Sequence, residues 1–274
     1  MPWYTSASGS RLWYEDHGIG TPVVFIHGWC MSSAVWELQR EGLSDSCRVI
    51  VLNLPGHGTS SVPAGGFSIK GCAADIAGLF EALGLQNALL AGWSLGSLIA
   101  LETFPLLRAR LSGMVLIAGT PRFTQSGDYR YGLSQIETEG MARKVQRSLR
   151  RALEGFTGLM FAPGELDEPQ QAVRIQNLLS NVSLPLTTIA LQALQALVEA
   201  DLRDQLALID LPTLIMNGDC DVICLPQASE FLAKRIPLAR QVLFTGCGHA
   251  PFLTQSCYFN ACLEEFRSEV SVVH

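Results

Sequence analysis

The chain has 274 residues, 48% of them apolar and 16% charged, and a formal net charge of −6. That length and apolar content suit one large domain with an insertion and exclude a disordered chain. The negative charge argues against a general nucleic-acid-binding surface and leaves room only for a local basic patch.

No apolar run reaches membrane-spanning length, and the stretch 182–198 is broken by Pro185, Gln192 and Gln195. The opening Met1-Pro2-Trp3-Tyr4 lacks the basic segment and apolar core of a secretory signal. A soluble cytoplasmic protein that binds neither membrane nor nucleic acid is expected. The eight cysteines, Cys30, Cys47, Cys72, Cys220, Cys224, Cys247, Cys257 and Cys262, form no CxxC pair. In that compartment they read as buried reduced thiols. Cys220, Cys224 and Cys247 match no common zinc spacing, so neither a metal nor an organic cofactor is expected.

Residues 11–15 read as a first strand. Residues 23–26 form a continuous apolar run, suited to a strand buried on both faces, and 49–52, 88–91 and 114–117 repeat the pattern. Between them, residues 68–83 carry Ile69, Cys72, Ile76, Leu79, Phe80 and Leu83 at helical spacing. Strands alternating with helices predict a mostly parallel central sheet with helices on both faces. From 120 to 208 helical segments dominate, at 140–153, 169–179 and 186–198. Strand character returns at 213–216 and 241–244, and a helix at 258–270 closes the chain. The spacing therefore predicts an α/β core over 1–119 and 209–274, with a helical lid over 120–208 inserted in it.

Gly92-Trp93-Ser94-Leu95-Gly96 lies between the strand 88–91 and a helical run at 97–104. This is G-x-S-x-G in a strand-turn-helix context, which exposes the serine oxygen on a tight turn. The glycines relieve collisions two positions either side, and the helix N-terminus behind the serine favours negative charge. A glycine-rich turn with an incidental serine is the alternative. Its partners argue against that.

A serine hydroxyl needs a base. Of His17, His27, His57, His249 and His274, only His249 sits in a glycine loop after a late strand, in Gly246-Cys247-Gly248-His249-Ala250-Pro251. His17 and His274 lie near the chain ends, and His27 and His57 fit structural roles in early loops. Asn217-Gly218-Asp219-Cys220-Asp221 offers two carboxylates after the strand 213–216. Asp221 is favoured for its longer reach, and Asp219 then becomes a turn residue. A tetrahedral intermediate needs two N–H donors. The backbone of Leu95 would supply one, and that of Trp29, in His27-Gly28-Trp29 after the strand 23–26, the other. Leu54-Pro55-Gly56-His57-Gly58-Thr59-Ser60 reads as a structural turn.

Together the stretches FIHGW, NLPGHGTS, AGWSLGS, NGDCD and GCGHAPF resemble the α/β-hydrolase superfamily along nearly the whole chain. GWSLGS, HGW and IAGTPRF resemble more closely the pimeloyl-carrier-protein methyl ester esterases of biotin synthesis. That resemblance implies a carboxylesterase that removes the methyl cap from a carrier-bound dicarboxylic acyl chain. A related hydrolase for a small free ester, lactone or C–C bond substrate remains open, as does a non-catalytic ligand-binding hydrolase fold.

Arg143, Lys144, Arg147, Arg150 and Arg151 fall within the predicted helix 140–153. On one continuous helix Arg143, Arg147, Arg150 and Arg151 share a side, opposite Met141, Val145, Leu149 and Leu153. A charge run of this kind reads either as a solvated face or as a docking surface for an acidic partner. Acyl carrier protein, with its carboxylates and its phosphopantetheine arm, is the partner the resemblance implies.

Overall fold

An eight-stranded sheet runs in the order β1-β2-β4-β3-β5-β6-β7-β8. The computed structural model describes residues 3–271, so His274 lies outside the described residues. The strands are β1 (Trp3–Thr5), β2 (Arg11–His17), β3 (Pro22–Ile26), β4 (Arg48–Leu52), β5 (Ala88–Trp93), β6 (Leu111–Ile117), β7 (Thr213–Gly218) and β8 (Ala239–Phe244). The β1–β2 and β2–β4 pairs are antiparallel, and every other pair is parallel.

The helices are α1 (Glu37–Leu43), α2 (Ile69–Ala82), α3 (Leu95–Leu107), α4 (Gln135–Arg147), α5 (Leu149–Leu159), α6 (Pro169–Ser180), α7 (Thr187–Glu199), α8 (Pro226–Arg235), α9 (Pro251–Thr254) and α10 (Ser256–Ser271). Strands β5, β6 and β7 are buried along their whole length, and β3 and β4 at every residue but the first. Continuous apolar runs have that fate in a parallel sheet covered on both faces. Ser68 starts α2 by accepting the Gly71 N–H, and α2 buries Cys72, Ile76, Leu79 and Phe80. Helices α2 and α3 pack together, as do α1 and α10.

The topology decides where chemistry can sit. The chain leaves β3 for β4 on one side and returns to place β5 on the other. Loops after β3 and β5 therefore start side by side and diverge, which opens a crevice at the carboxyl ends of the strands.

Between β6 and β7 no described residue adds a strand to the sheet, and α4, α5, α6 and α7 occupy that interval. One expectation fails there. Residues 140–153 are not one helix, because Ser148 adopts φ −165° and ψ 103° and separates α4 from α5. Its hydroxyl accepts the Arg151 N–H at 3.4 Å and restarts the chain as a new helix. The shared face computed across 140–153 is therefore lost: Arg143, Lys144 and Arg147 belong to α4, Arg150 and Arg151 to α5.

Strand β1 and helices α1, α8 and α9 extend the sequence reading. All eight cysteines are free, but Cys220 and Cys257 are exposed rather than buried. Among the described residues no helix is long and apolar enough to cross a membrane.

Candidate active site

Ser94 lies between β5 and α3 with φ 56° and ψ −116°. A non-glycine residue held there stores about 1–3 kcal/mol of strain. The neighbouring glycines make the turn possible. A Cβ on Gly92 would lie 2.1 Å from the Gly96 carbonyl oxygen, and one on Gly96 would lie 2.3 Å from that of Ile26. Two hydrogen bonds lock the turn: the Ser94 N–H donates to the Ile117 carbonyl at 2.9 Å, and the Ser97 hydroxyl donates to the Ser94 carbonyl at 2.7 Å.

His249 follows β8, and its Nδ1–H donates to Asp221 Oδ2 at 2.7 Å. Asp221 follows β7. Its other oxygen accepts the N–H groups of Ile223 at 2.8 Å and Cys224 at 3.0 Å. The carboxylate is thus aimed by donors on both oxygens, and both side chains of the pair are sealed from solvent. A buried carboxylate held by three donors can fix one imidazole tautomer and stabilise the imidazolium. Asp219 instead accepts the Gly246 N–H at 2.7 Å and closes the turn before His249.

The His249 carbonyl accepts the Trp93 indole N–H at 2.8 Å, and the two rings lie 5.5 Å apart. Residue 93 immediately precedes Ser94, so this bond ties the imidazole loop to the Ser94 turn. His249 Nε2 is buried and has no hydrogen-bond partner among the described residues. It is the ring nitrogen left for proton transfer.

Gly28 brings the loop after β3 onto the same turn, where an added Cβ would come within 3.3 Å of the Ser94 Cβ. Among the described residues, the N–H groups of Trp29 and Leu95 have no acceptor. Both are free to donate to a developing oxyanion. Both ring nitrogens of His27 are engaged by backbone: Nδ1–H donates to the Gly28 carbonyl at 2.8 Å and Nε2 accepts the Leu54 N–H at 3.0 Å. His57 Nδ1–H donates to the Pro55 carbonyl at 3.0 Å inside its own turn.

Two residues missed by the sequence reading join the site. Burial pushes the Cys224 thiol up, the Asp221 charge adds to this, and a hydrogen bond with the Ser94 side chain opposes it. The Cys224 N–H meets Asp221 at 3.0 Å, and its only sequence signal is its place three residues after Asp221. The other is Glu165, which accepts the Gly248 N–H at 2.7 Å. It has no sequence signal, because its partner is 83 residues away.

Helices α5 and α7, from the interval between β6 and β7, cover this cluster. Phe156 on α5 meets the Trp29 ring at 5.3 Å and the His249 ring at 6.5 Å. The Trp29 indole N–H donates to the Ala190 carbonyl on α7 at 2.9 Å. Ser94 is only 7% exposed and His249 is fully buried. A cavity of about 720 Å³ opens elsewhere, between α4 and α7, and touches none of the cluster. Arg143, Lys144, Arg147, Arg150 and Arg151 are exposed on α4 and α5. Only Arg143 among them pairs with a described carboxylate, Glu139, at 3.5 Å.

The geometry has counterparts among known proteins. Residues 21–256 match the α/β hydrolase fold family. A pimeloyl-[acyl-carrier protein] methyl ester esterase of Nitrosomonas europaea is 31% identical over 91% of this chain and 97% of its own. The Nitrosospira multiformis protein of that name is 28% identical over 93% and 97%. Among solved structures, the esterase EaEST of Exiguobacterium antarcticum superposes with a TM-score of 0.89 at 29% identity, over 97% of this chain and 98% of its own. A bromoperoxidase of Bacillus anthracis superposes with a TM-score of 0.86 at 29% identity, over 94% and 95%. The chain belongs to the α/β-hydrolase fold family and is a hydrolase.

Proposed function

We propose that this hydrolase is a serine carboxylesterase that removes the methyl group from a carrier-bound dicarboxylic acyl chain, pimeloyl-[acyl-carrier protein] methyl ester, in cytoplasmic biotin synthesis. The observation that carries the chemistry is the sealed His249–Asp221 pair, hydrogen-bonded through Trp93 to the strained Ser94 turn. Ser94 attacks the ester carbonyl while His249 takes its proton, and Asp221 steadies the imidazolium. The N–H groups of Trp29 and Leu95 receive the negative charge on the carbonyl oxygen. His249 returns the proton to the departing methanol. Water then attacks the acyl-serine carbonyl while His249 takes its proton, and His249 passes that proton to Ser94 Oγ as the acyl–oxygen bond breaks and the acid leaves. No step calls on a metal or an organic cofactor.

The substrate assignment is supported by the near full-length similarity to esterases of that name. The exposed cations Arg143, Lys144, Arg147, Arg150 and Arg151 supply a surface suited to the acidic carrier protein. Arg147 ends α4 and Arg150 and Arg151 lie in the first turn of α5, on either side of Ser148.

The test compares kcat/KM for a carrier-bound methyl ester and for the same ester free of carrier. The carrier-bound substrate should be favoured at low salt by about tenfold or more, the low end of electrostatic steering. Equal values would replace the carrier-bound reading with hydrolysis of small free esters. Ser94→Ala should lose about 10⁴-fold or more on both substrates, as for removal of a nucleophile. Retention of about a tenth of the activity would sink the serine mechanism.

A further inference from the structure

The loop that carries His249 is fastened to the lid. The His249 N–H donates to the carbonyl of Met160, just past α5, at 2.7 Å. Beside it, Glu165 Oε2 accepts the Gly248 N–H at 2.7 Å and the Ala162 N–H at 2.6 Å. Glu165 Oε1 accepts the Thr254 hydroxyl at 2.6 Å. One carboxylate therefore holds the residue before the histidine and the last residue of α9, which follows it. The approach is close enough to require glycine at 248, where a Cβ would lie 2.4 Å from the Met160 carbonyl oxygen.

On the core side the same loop is held by Asp219 at the Gly246 N–H, by Asp221 at the His249 ring and by Gln39 at the Phe252 carbonyl. The Trp93 indole N–H holds the His249 carbonyl, and the Cys220 N–H holds the Cys247 carbonyl at 2.9 Å. Hydrogen bonds to a carboxylate are about twice as strong as neutral ones. Glu165 gathers three of them in the gap between lid and loop.

We propose that Glu165 is a positioning residue for the catalytic base: from the lid, its carboxylate fixes both ends of segment 248–254 and so the imidazole of His249. This rests on the reading of His249 as the base of Ser94. Glu165 touches neither serine nor substrate in this arrangement and acts through the histidine. Misplacing a catalytic group by an ångström slows the chemical step without weakening substrate binding. The role should therefore appear in kcat and not in KM.

The test uses a short-chain nitrophenyl ester, which needs no carrier docking, with Ser94→Ala as reference. Glu165→Ala should lower kcat about ten- to a hundredfold and leave KM within about twofold. The rate at which a fluorophosphonate labels Ser94 should fall in parallel, because that reaction also needs the base. Glu165→Gln should recover most of the rate, since its carbonyl oxygen can accept both N–H groups and its amide can donate to Thr254. Thr254→Val, which removes the Oε1 partner and with it a 3.7 Å contact to Cys247 Sγ, should lower kcat severalfold at unchanged KM. It decides the matter if Glu165→Ala does not fold. Wild-type kcat in Glu165→Ala or in Thr254→Val, a loss confined to KM, or a glutamine variant no better than alanine would each overturn the proposal. An active Ser94→Ala would remove the triad reading itself. A dead Ser94→Ala beside a fully active Glu165→Ala would remove only the role of Glu165.

Discussion

His249 Nδ1 and Asp221 Oδ2 stand 2.7 Å apart with both side chains closed to solvent, while Asp219, two residues earlier, faces the Gly246 amide. The two carboxylates of one loop thus have separate tasks. Asp221→Asn leaves an amide that cannot stabilise an imidazolium and favours the wrong tautomer. It should lower kcat on an ester substrate by about 10⁴-fold. Asp219→Asn keeps an acceptor for Gly246 and should cost less than about tenfold, the scale of one surface hydrogen bond. Steady-state kinetics on the two variants, at equal folded fraction by circular dichroism, checks the ranking. A reversed order would transfer the acid to Asp219.

Gly96 and Gly140 stand in opposite surroundings, and alanine at the two positions should have opposite effects. A Cβ on Gly96 would lie 2.3 Å from the Ile26 carbonyl oxygen and 2.9 Å from that of His27. Both atoms are backbone at the end of β3, so they cannot move without shifting the loop that carries Trp29. Gly96→Ala should therefore lose nearly all activity and lower the melting temperature. Gly140, inside α4, meets nothing within 4 Å. Gly140→Ala should keep wild-type kcat and gain about 0.5–1 kcal/mol of stability, because alanine loses less backbone entropy in a helix. Differential scanning calorimetry with an activity assay reads both effects.

Much of this architecture is written locally and therefore legible. Runs such as Val23–Ile26 within β3 have few alternatives to a buried strand, and the glycines at 92 and 96 announce the turn that holds Ser94. What escapes sequence reading is set by tertiary contact. The choice between Asp219 and Asp221 depends on which carboxylate meets the His249 ring and which the Gly246 amide. Glu165 meets Gly248 and Thr254 across more than 80 residues. The break at Ser148 is hidden for a different reason. Met141 and Val145 before it, and Leu149 and Leu153 after it, keep a spacing of four, so periodicity runs straight through a cap. Helix α1 spans only seven residues and β1 three, too few for a period to emerge.

Acid should unfold the protein partly through two histidines that take no part in chemistry. Burial lowers the His27 imidazole from 6.5 to about 3, helped by the nearby His57 and opposed by its bond to Gly28. Burial lowers His57 to about 4. Protonating His27 would also break the bond in which Nε2 accepts the Leu54 N–H. Below pH 6.5 the unfolded chain binds protons that the folded chain refuses. Stability is therefore whole above that pH and falls as pH drops toward 4. Each histidine should cost on the order of 3 kcal/mol by pH 4. Urea melts at pH 7 and pH 4 should show a smaller drop for His57→Gln than for wild type. Identical drops would mean that His57 is charged in the folded state.

The cations at the α4–α5 junction supply the last prediction. Arg147, Arg150 and Arg151 are exposed and pair with no described carboxylate, whereas Arg143 is partly engaged by Glu139. Isolated exposed charges add little to stability, so reversing Arg147, Arg150 and Arg151 to glutamate should leave the melting temperature nearly unchanged. Their influence lies in the encounter with a charged partner. For a carrier-bound methyl ester, kcat/KM should fall about tenfold or more at low salt. The loss should shrink as salt rises, because the Debye length contracts from about 10 Å at 0.1 M to about 3 Å at 1 M. A small free ester should be hydrolysed at the wild-type rate, since Ser94, His249 and Asp221 are borne by the sheet and not by α4 or α5. The decisive measurement is kcat/KM on both substrates at both salt concentrations. Equal losses on the two substrates would mean that these residues hold the lid together. No loss on either would make them an ordinary solvated surface.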